Sequence, residues 1–170
     1  MTMSADLMVA ILAMDAYNRG YDAGLPYDGN RIGDAIALTV PLPAGSKGYG
    51  FYAVAYSLNG QTVISYRGTD DPIPDILYGY GVGAGSPYEP QAKFAIQFYQ
   101  QVLQQVGANA DVVLTGHSLG GGLAGFVAEL YGRSGKNWGH TPISAKAQPR
   151  SLDEPTPLSA KTANYGVKYA

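Results

Sequence analysis

The chain has 170 residues, 46% of them apolar, enough for one domain with its own core. Its 11 basic and 13 acidic side chains leave a net charge of −2, which offers no electrostatic footprint for nucleic acid or an anionic membrane surface. With no cysteine and only two histidines, His117 and His140, the composition excludes a disulfide framework, a thiolate metal site, a cysteine nucleophile and a histidine-built metal site.

The first residues lack a basic n-region and include Asp6 and Asp15, so they do not read as a secretory signal. No apolar run approaches the length of a membrane span. The location is therefore left open between the cytoplasm and export by a route the N-terminus does not encode. Ser4 is a candidate N-cap, and Leu7, Met8, Ile11, Leu12 and Met14 recur at helical spacing, predicting a helix to about Asn18 that Gly20 ends. Residues 20–30 read as loop. Ile32 to Val40 alternates loosely as a strand, stopped by Pro41 and Pro43. Phe51–Ser57 and Gln61–Arg67 are strand-like and flank Asn59-Gly60, the strongest two-residue hairpin signal. Residues 70–90 are rich in Gly, Pro and Tyr and read as irregular. A helix from about Glu89 to Val106 follows, with Phe94, Ile96, Phe98, Val102, Leu103 and Val106 as its apolar set and Gly107 closing it.

The next segment carries the chemistry. Val112-Val113-Leu114-Thr115 is a buried-strand pattern, and Gly116-His117-Ser118-Leu119-Gly120 follows it directly, a Gly-x-Ser-x-Gly match ahead of the apolar helix set Leu119, Leu123, Phe126, Val127 and Leu130. A sharp strand-to-helix turn lifts the serine hydroxyl clear of the backbone. It also brings positions −2 and +2 so close that a Cβ at either would clash. The N–H groups at the start of the helix point at any negative charge beside Ser118. Gly120, Gly122 and Gly125 also fit a dinucleotide fingerprint. However, the first glycine lies five residues past the strand, and no acid stands near Ala145. A serine nucleophile needs an oxyanion hole, a base and an orienter for the base. Leu119 offers one backbone N–H, and Thr69 offers a second where the hairpin strand gives way to loop.

Val63-Ile64-Ser65-Tyr66-Arg67-Gly68-Thr69-Asp70, followed after a helix by Val113-Leu114-Thr115-Gly116-His117-Ser118-Leu119-Gly120-Gly121-Gly122-Leu123-Ala124, resembles the class 3 lipases, an α/β-hydrolase family. The resemblance spans roughly residues 5–133. It implies Ser118 as nucleophile and Thr69 and Leu119 as the oxyanion hole. It also implies that residues 70–90 lie over the site, with Tyr78, Tyr80 and Tyr88 lining an apolar groove for an acyl ester or lipid. No cofactor is implied.

The chain departs from that family downstream, where the triad acid and base should stand on further strands. Composition breaks near Ser134: residues 1–133 hold 6 basic and 11 acidic groups, residues 134–170 hold 5 and 2 together with four prolines. The last segment reads as an irregular tail. His117 adjoins Ser118 and is expected to project away from it, as a packing residue. His140 is the remaining candidate base, but Asp153 follows it and inverts the expected order of acid and base. The expectation is an α/β fold, a truncated hydrolase-like three-layer sheet over 1–133 with a tail over 134–170. A sheet ending at the Val112 strand would leave a bare parallel edge and favour a homo-oligomer. Two functions stay open: a carboxylic-ester hydrolase of low activity, or a non-catalytic, truncated or frame-shifted remnant that self-associates.

Overall fold

The computed structural model describes residues 4–21, 29–68 and 90–138. Helix α1 (Ala5–Tyr21) begins where expected: the Leu7 amide donates to Ser4 Oγ at 3.2 Å, and Asp6 sits in its first turn. It runs through Gly20, three residues beyond the predicted end. An isolated glycine weakens a helix by only about 1 kcal/mol and does not by itself stop one.

The predicted strand over 32–40 is instead a tight two-stranded unit, β1 (Arg31–Ile32) and β2 (Ala35–Leu38), with Ile32 opposite Ala35. Gly33, at φ 54°, makes the reversal, and the Met8 methyl packs so closely on it that a Cβ would come within 2.8 Å. A short 3₁₀ turn (Ser46–Tyr49) leads into the hairpin of β3 (Ala53–Leu58) and β4 (Gln61–Tyr66). Asn59 and Gly60 both have positive φ, 49° and 83°, as a two-residue turn matched to strand twist requires.

Helix α2 (Pro90–Val106) starts on a proline, whose missing N–H is no loss at that position. Its buried stripe is Ala92, Ala95, Phe98, Tyr99 and Val102, while Phe94, Ile96, Leu103 and Val106 of the predicted set are only partly covered. Strand β5 (Val112–His117) lies parallel to β4, with Tyr66 opposite Gly116. Helix α3 (Leu119–Tyr131) buries Gly120, Gly121, Leu123, Ala124, Gly125, Val127 and Ala128, a face of mostly small residues that lets it approach the sheet closely. Gly132, at φ 61°, closes it, and the Arg133 amide reaches back to Ala128 O at 2.8 Å.

The segment after Tyr131, read as irregular from sequence, forms strand β6 (Ser134–Trp138), parallel to β5 with Val113 opposite Ser134 and His117 opposite Trp138. The bare edge expected at β5 is therefore occupied. The six strands form one mixed sheet in the order β1-β2-β3-β4-β5-β6, antiparallel up to β4 and parallel from there. Helices α2 and α3 pack on one face over Ala53, Ala55, Ile64, Tyr66, Val112 and Leu114. Helix α1 covers the other face over Val54, Tyr56, Val63 and Val113. The result is three layers, with the C-terminal ends of β4 and β5 meeting at the Ser118 turn.

Candidate active site

Ser118 joins β5 to α3 with φ 55° and ψ −127°, a region that L-residues with a side chain rarely occupy. Its side chain is exposed and caps none of the N–H groups of α3, so the hydroxyl is not consumed by the helix end. Its carbonyl accepts from the amides of Gly121 at 2.9 Å and Gly122 at 3.3 Å, which starts the helix. Leu119, half-buried, is the first helical residue, and its N–H is among the four that no intrahelical carbonyl can satisfy.

The glycines on either side of the serine are fixed by contact distance. A Cβ on Gly116 would lie 2.3 Å from the carbonyl carbon and oxygen of Gly120. A Cβ on Gly120 would lie 2.1 Å from Tyr66 O and 2.9 Å from the carbonyl carbon of Arg67. The start of α3 is thus laid directly on the end of β4, which puts the chain leading to Thr69 beside the turn that carries Ser118. Arg67 is buried there. Its backbone amide donates to Tyr52 O at 3.0 Å, its Nη2 donates to Gly50 O at 3.0 Å, and its guanidinium stands 5.2 Å from the Tyr52 ring centre.

His117 projects to the α1 side. Its ring meets Tyr17 edge-on with centroids 5.8 Å apart, and its Nδ1 lies 3.3 Å from Tyr17 Oη. It is the packing residue that its place in the turn predicts. Tyr17 and Gly68 are the site neighbours that sequence reading missed. Gly68 stands inside the quoted strand motif, whereas nothing in the sequence of α1 sets Tyr17 apart. Thr69, Tyr78, Tyr80, Tyr88 and His140 lie outside the described residues, as do Asp70, Asp71, Asp75 and Asp153.

Two residues from Tyr17 on either side along α1, Asp15 and Arg19 belong to a buried polar cluster. Asp15, 2% exposed, accepts from Tyr56 Oη at 2.6 Å and Arg19 Nε at 2.5 Å. Burial first, and the Asp15 carboxylate second, push the Tyr56 hydroxyl far above its ordinary pKa. This cluster ties α1 to β3. A cavity of about 330 Å³ near it is lined by Arg19, Asn30, Thr39, Val40 and Tyr52 among others, and by none of residues 116–120. Among the described residues no helix is long and apolar enough to cross a membrane.

A mixed sheet between two helical layers, with a strained, exposed serine where a parallel strand turns into a small-residue helix, defines a lipase-like α/β domain. The chain matches the Tle-like phospholipase domain over residues 8–150 and belongs to that phospholipase-like family. The extracellular phospholipase A1 of Serratia liquefaciens is 31% identical to it over 134 residues, which cover 75% of this chain and 39% of the relative. The chain therefore spans about two fifths of the length of that curated relative. Among solved structures, the nonglycosylated LIP2 lipase of Yarrowia lipolytica superposes with a TM-score of 0.48 at 14% identity, covering 77% of this chain and 56% of that one. A crystal structure of Lip2 lipase from the same organism gives 0.43 at 16% identity, covering 78% and 57%.

Proposed function

We propose that the chain is a serine carboxylic-ester hydrolase acting on acyl esters of lipids, phospholipids foremost, with Ser118 as nucleophile. The observation that carries this reading is the backbone of Ser118, φ 55° and ψ −127° at an exposed strand-to-helix turn, because strain of this kind persists only where the surroundings enforce it. Family membership and the name of the Serratia relative support a phospholipid substrate. In this reading Ser118 Oγ attacks the acyl carbonyl carbon while a base takes its proton. The carbonyl oxygen gains the negative charge and is met by the N–H groups of Leu119 and Thr69. Collapse expels the alcohol and leaves an acyl-serine that water then cleaves. The packing of Gly120 on Tyr66 O supports the pairing of these two donors, since it brings the two chain segments together.

His140 is the candidate base and Tyr78, Tyr80 and Tyr88 the candidate acyl-groove residues. The test is hydrolysis of short-chain p-nitrophenyl esters and of phosphatidylcholine by the wild type, Ser118→Ala and His140→Ala. Turnover is expected to be weak and to fall to the residual level set by binding and the oxyanion hole in Ser118→Ala. An oxyanion hole and binding alone retain about 10³ to 10⁴ over water when triad members are lost. Loss in His140→Ala as well assigns the base to that residue. Turnover indifferent to Ser118→Ala removes the hydrolase reading.

A further inference from the structure

We propose that Tyr17 is a positioning residue for the reaction, and that its hydroxyl holds the two strand ends that form the site; the inference rests on the reading of Ser118 as nucleophile. Helix α1 lies on the face of the sheet opposite α3, and Tyr17, near its end, reaches the tips of β4 and β5 together. Its hydroxyl lies 3.3 Å from the carbonyl oxygen of His117 and 3.3 Å from His117 Nδ1. The same oxygen occupies the space above Gly68, where a Cβ would come within 2.3 Å of it and within 2.9 Å of His117 O. One hydroxyl therefore touches the residue just before Ser118 and the residue just before Thr69.

The consequence follows from covalent geometry. The His117 carbonyl belongs to the peptide plane that also holds the Ser118 N–H, and the orientation of that plane sets φ of Ser118. A φ of 55° on a residue with a side chain must be imposed from outside. A hydrogen bond donated by Tyr17 Oη to His117 O anchors the plane on the side away from solvent. With the proton of the imidazole on Nδ1, that nitrogen donates to Tyr17 Oη while Tyr17 donates to the carbonyl, so one tautomer satisfies both contacts. Tyr17 touches no reacting atom in this scheme and acts through Ser118 alone.

The test removes the hydroxyl and keeps the ring. Tyr17→Phe and wild type are compared by the rate of Ser118 labelling with a fluorophosphonate, by kcat and KM on p-nitrophenyl butyrate, and by thermal unfolding. A displacement of a nucleophile by about 1 Å costs up to about 100-fold. The expected result is a 10- to 100-fold fall in labelling rate and kcat, with KM and the unfolding temperature close to wild type. Gly68→Ala, whose Cβ would crowd both the hydroxyl and the His117 carbonyl it holds, is the second arm and should show at least the same loss of labelling. Wild-type labelling rates in Tyr17→Phe overturn the inference and leave the hydrolase reading standing. A fall that only tracks lost folded protein overturns it too, since packing alone would explain it. A wild type that the probe labels elsewhere, or not at all, overturns the hydrolase reading and this inference with it.

Discussion

A methyl group on Gly120 would lie 2.1 Å from the carbonyl oxygen of Tyr66, inside any tolerable contact. The relationship ties the first turn of α3 to the end of β4, and both partners at the contact are backbone, which cannot swing aside as a side chain would. Gly120→Ala is therefore expected to destabilise the domain by about 3 kcal/mol or more, the upper end of the overpacking range. Gly48→Ala is the control. Nothing lies within 4 Å of its added Cβ, and it should change stability by less than about 1 kcal/mol. Urea midpoints of the two variants decide; equal midpoints would mean that α3 does not sit on β4 as described.

A second contact tests the strand that sequence patterning did not reveal. Gly135 is buried on β6, and a Cβ there would meet Ala128 Cβ of α3 at 2.9 Å. Gly135→Leu should cost about 1–3 kcal/mol by overpacking. A neutral result would mean that residues 134–138 do not pack under α3.

These two glycines also mark how far the sequence was legible. The hairpin was readable because Asn59-Gly60 supplies two positive φ values by residue type alone. The turn at Ser118 was readable because the glycines at 116 and 120 answer a contact distance that the serine's position creates. Strand β6 was not, because Ser134-Gly135-Lys136-Asn137-Trp138 shows neither alternation nor β-branched residues. Its place depends on parallel pairing with β5 and on the absence of a side chain at 135, both tertiary facts. The Gly33 reversal was hidden in a run that alternates well enough for one strand. Tyr17 was hidden because its role depends on the distance from α1 to two strand tips, at Gly68 and His117, that lie 51 and 100 residues further along the chain.

The buried tyrosines make stability sensitive to alkali. Desolvation raises the pKa of Tyr66, whose Oη donates to Ala95 O at 3.0 Å, well above the ordinary value, and raises that of Tyr56 likewise. In the unfolded chain each titrates near 10. A pKa raised in the folded state means that the folded form keeps its proton while the unfolded form loses it. The stability this gives is whole below pH 10 and is lost as pH rises beyond it. The expected slope is about 1.4 kcal/mol per pH unit for each of the two groups. Urea midpoints at pH 9, 10.5 and 11.5 should fall accordingly, and Tyr66→Phe should flatten the slope by about half. A midpoint unchanged to pH 11.5 would contradict burial of both hydroxyls.

The Asp15 cluster yields a further asymmetry. Tyr56→Phe removes one hydrogen bond to a buried carboxylate, expected to cost about 1.5–3 kcal/mol. Asp15→Ala leaves the Arg19 guanidinium, only 11% exposed, without the carboxylate that offsets its burial, and should cost more, about 3–5 kcal/mol. Chemical denaturation of the two variants checks the order. The reverse order would show that the ion pair is better solvated than its burial indicates.

The strain at Ser118 sets stability against function. A residue with a side chain held at φ 55°, ψ −127° costs on the order of 1–3 kcal/mol, whereas glycine adopts those angles freely. Ser118→Ala keeps the strain and loses the hydroxyl; Ser118→Gly loses both. Glycine also pays about 0.5–1 kcal/mol in unfolded-chain entropy, which offsets part of the relief. The Gly variant should still be about 1 kcal/mol more stable than the Ala variant, an upward shift of about 2–4 °C in Tm for a domain of this size. Both should be inactive toward esters if Ser118 is the nucleophile. Calorimetry of the pair isolates the backbone term, because the two variants differ at this position by one methyl group and by nothing in charge or hydrogen bonding. A Gly variant less stable than the Ala variant would show that the turn is relaxed, and would take away the observation on which the nucleophile assignment rests.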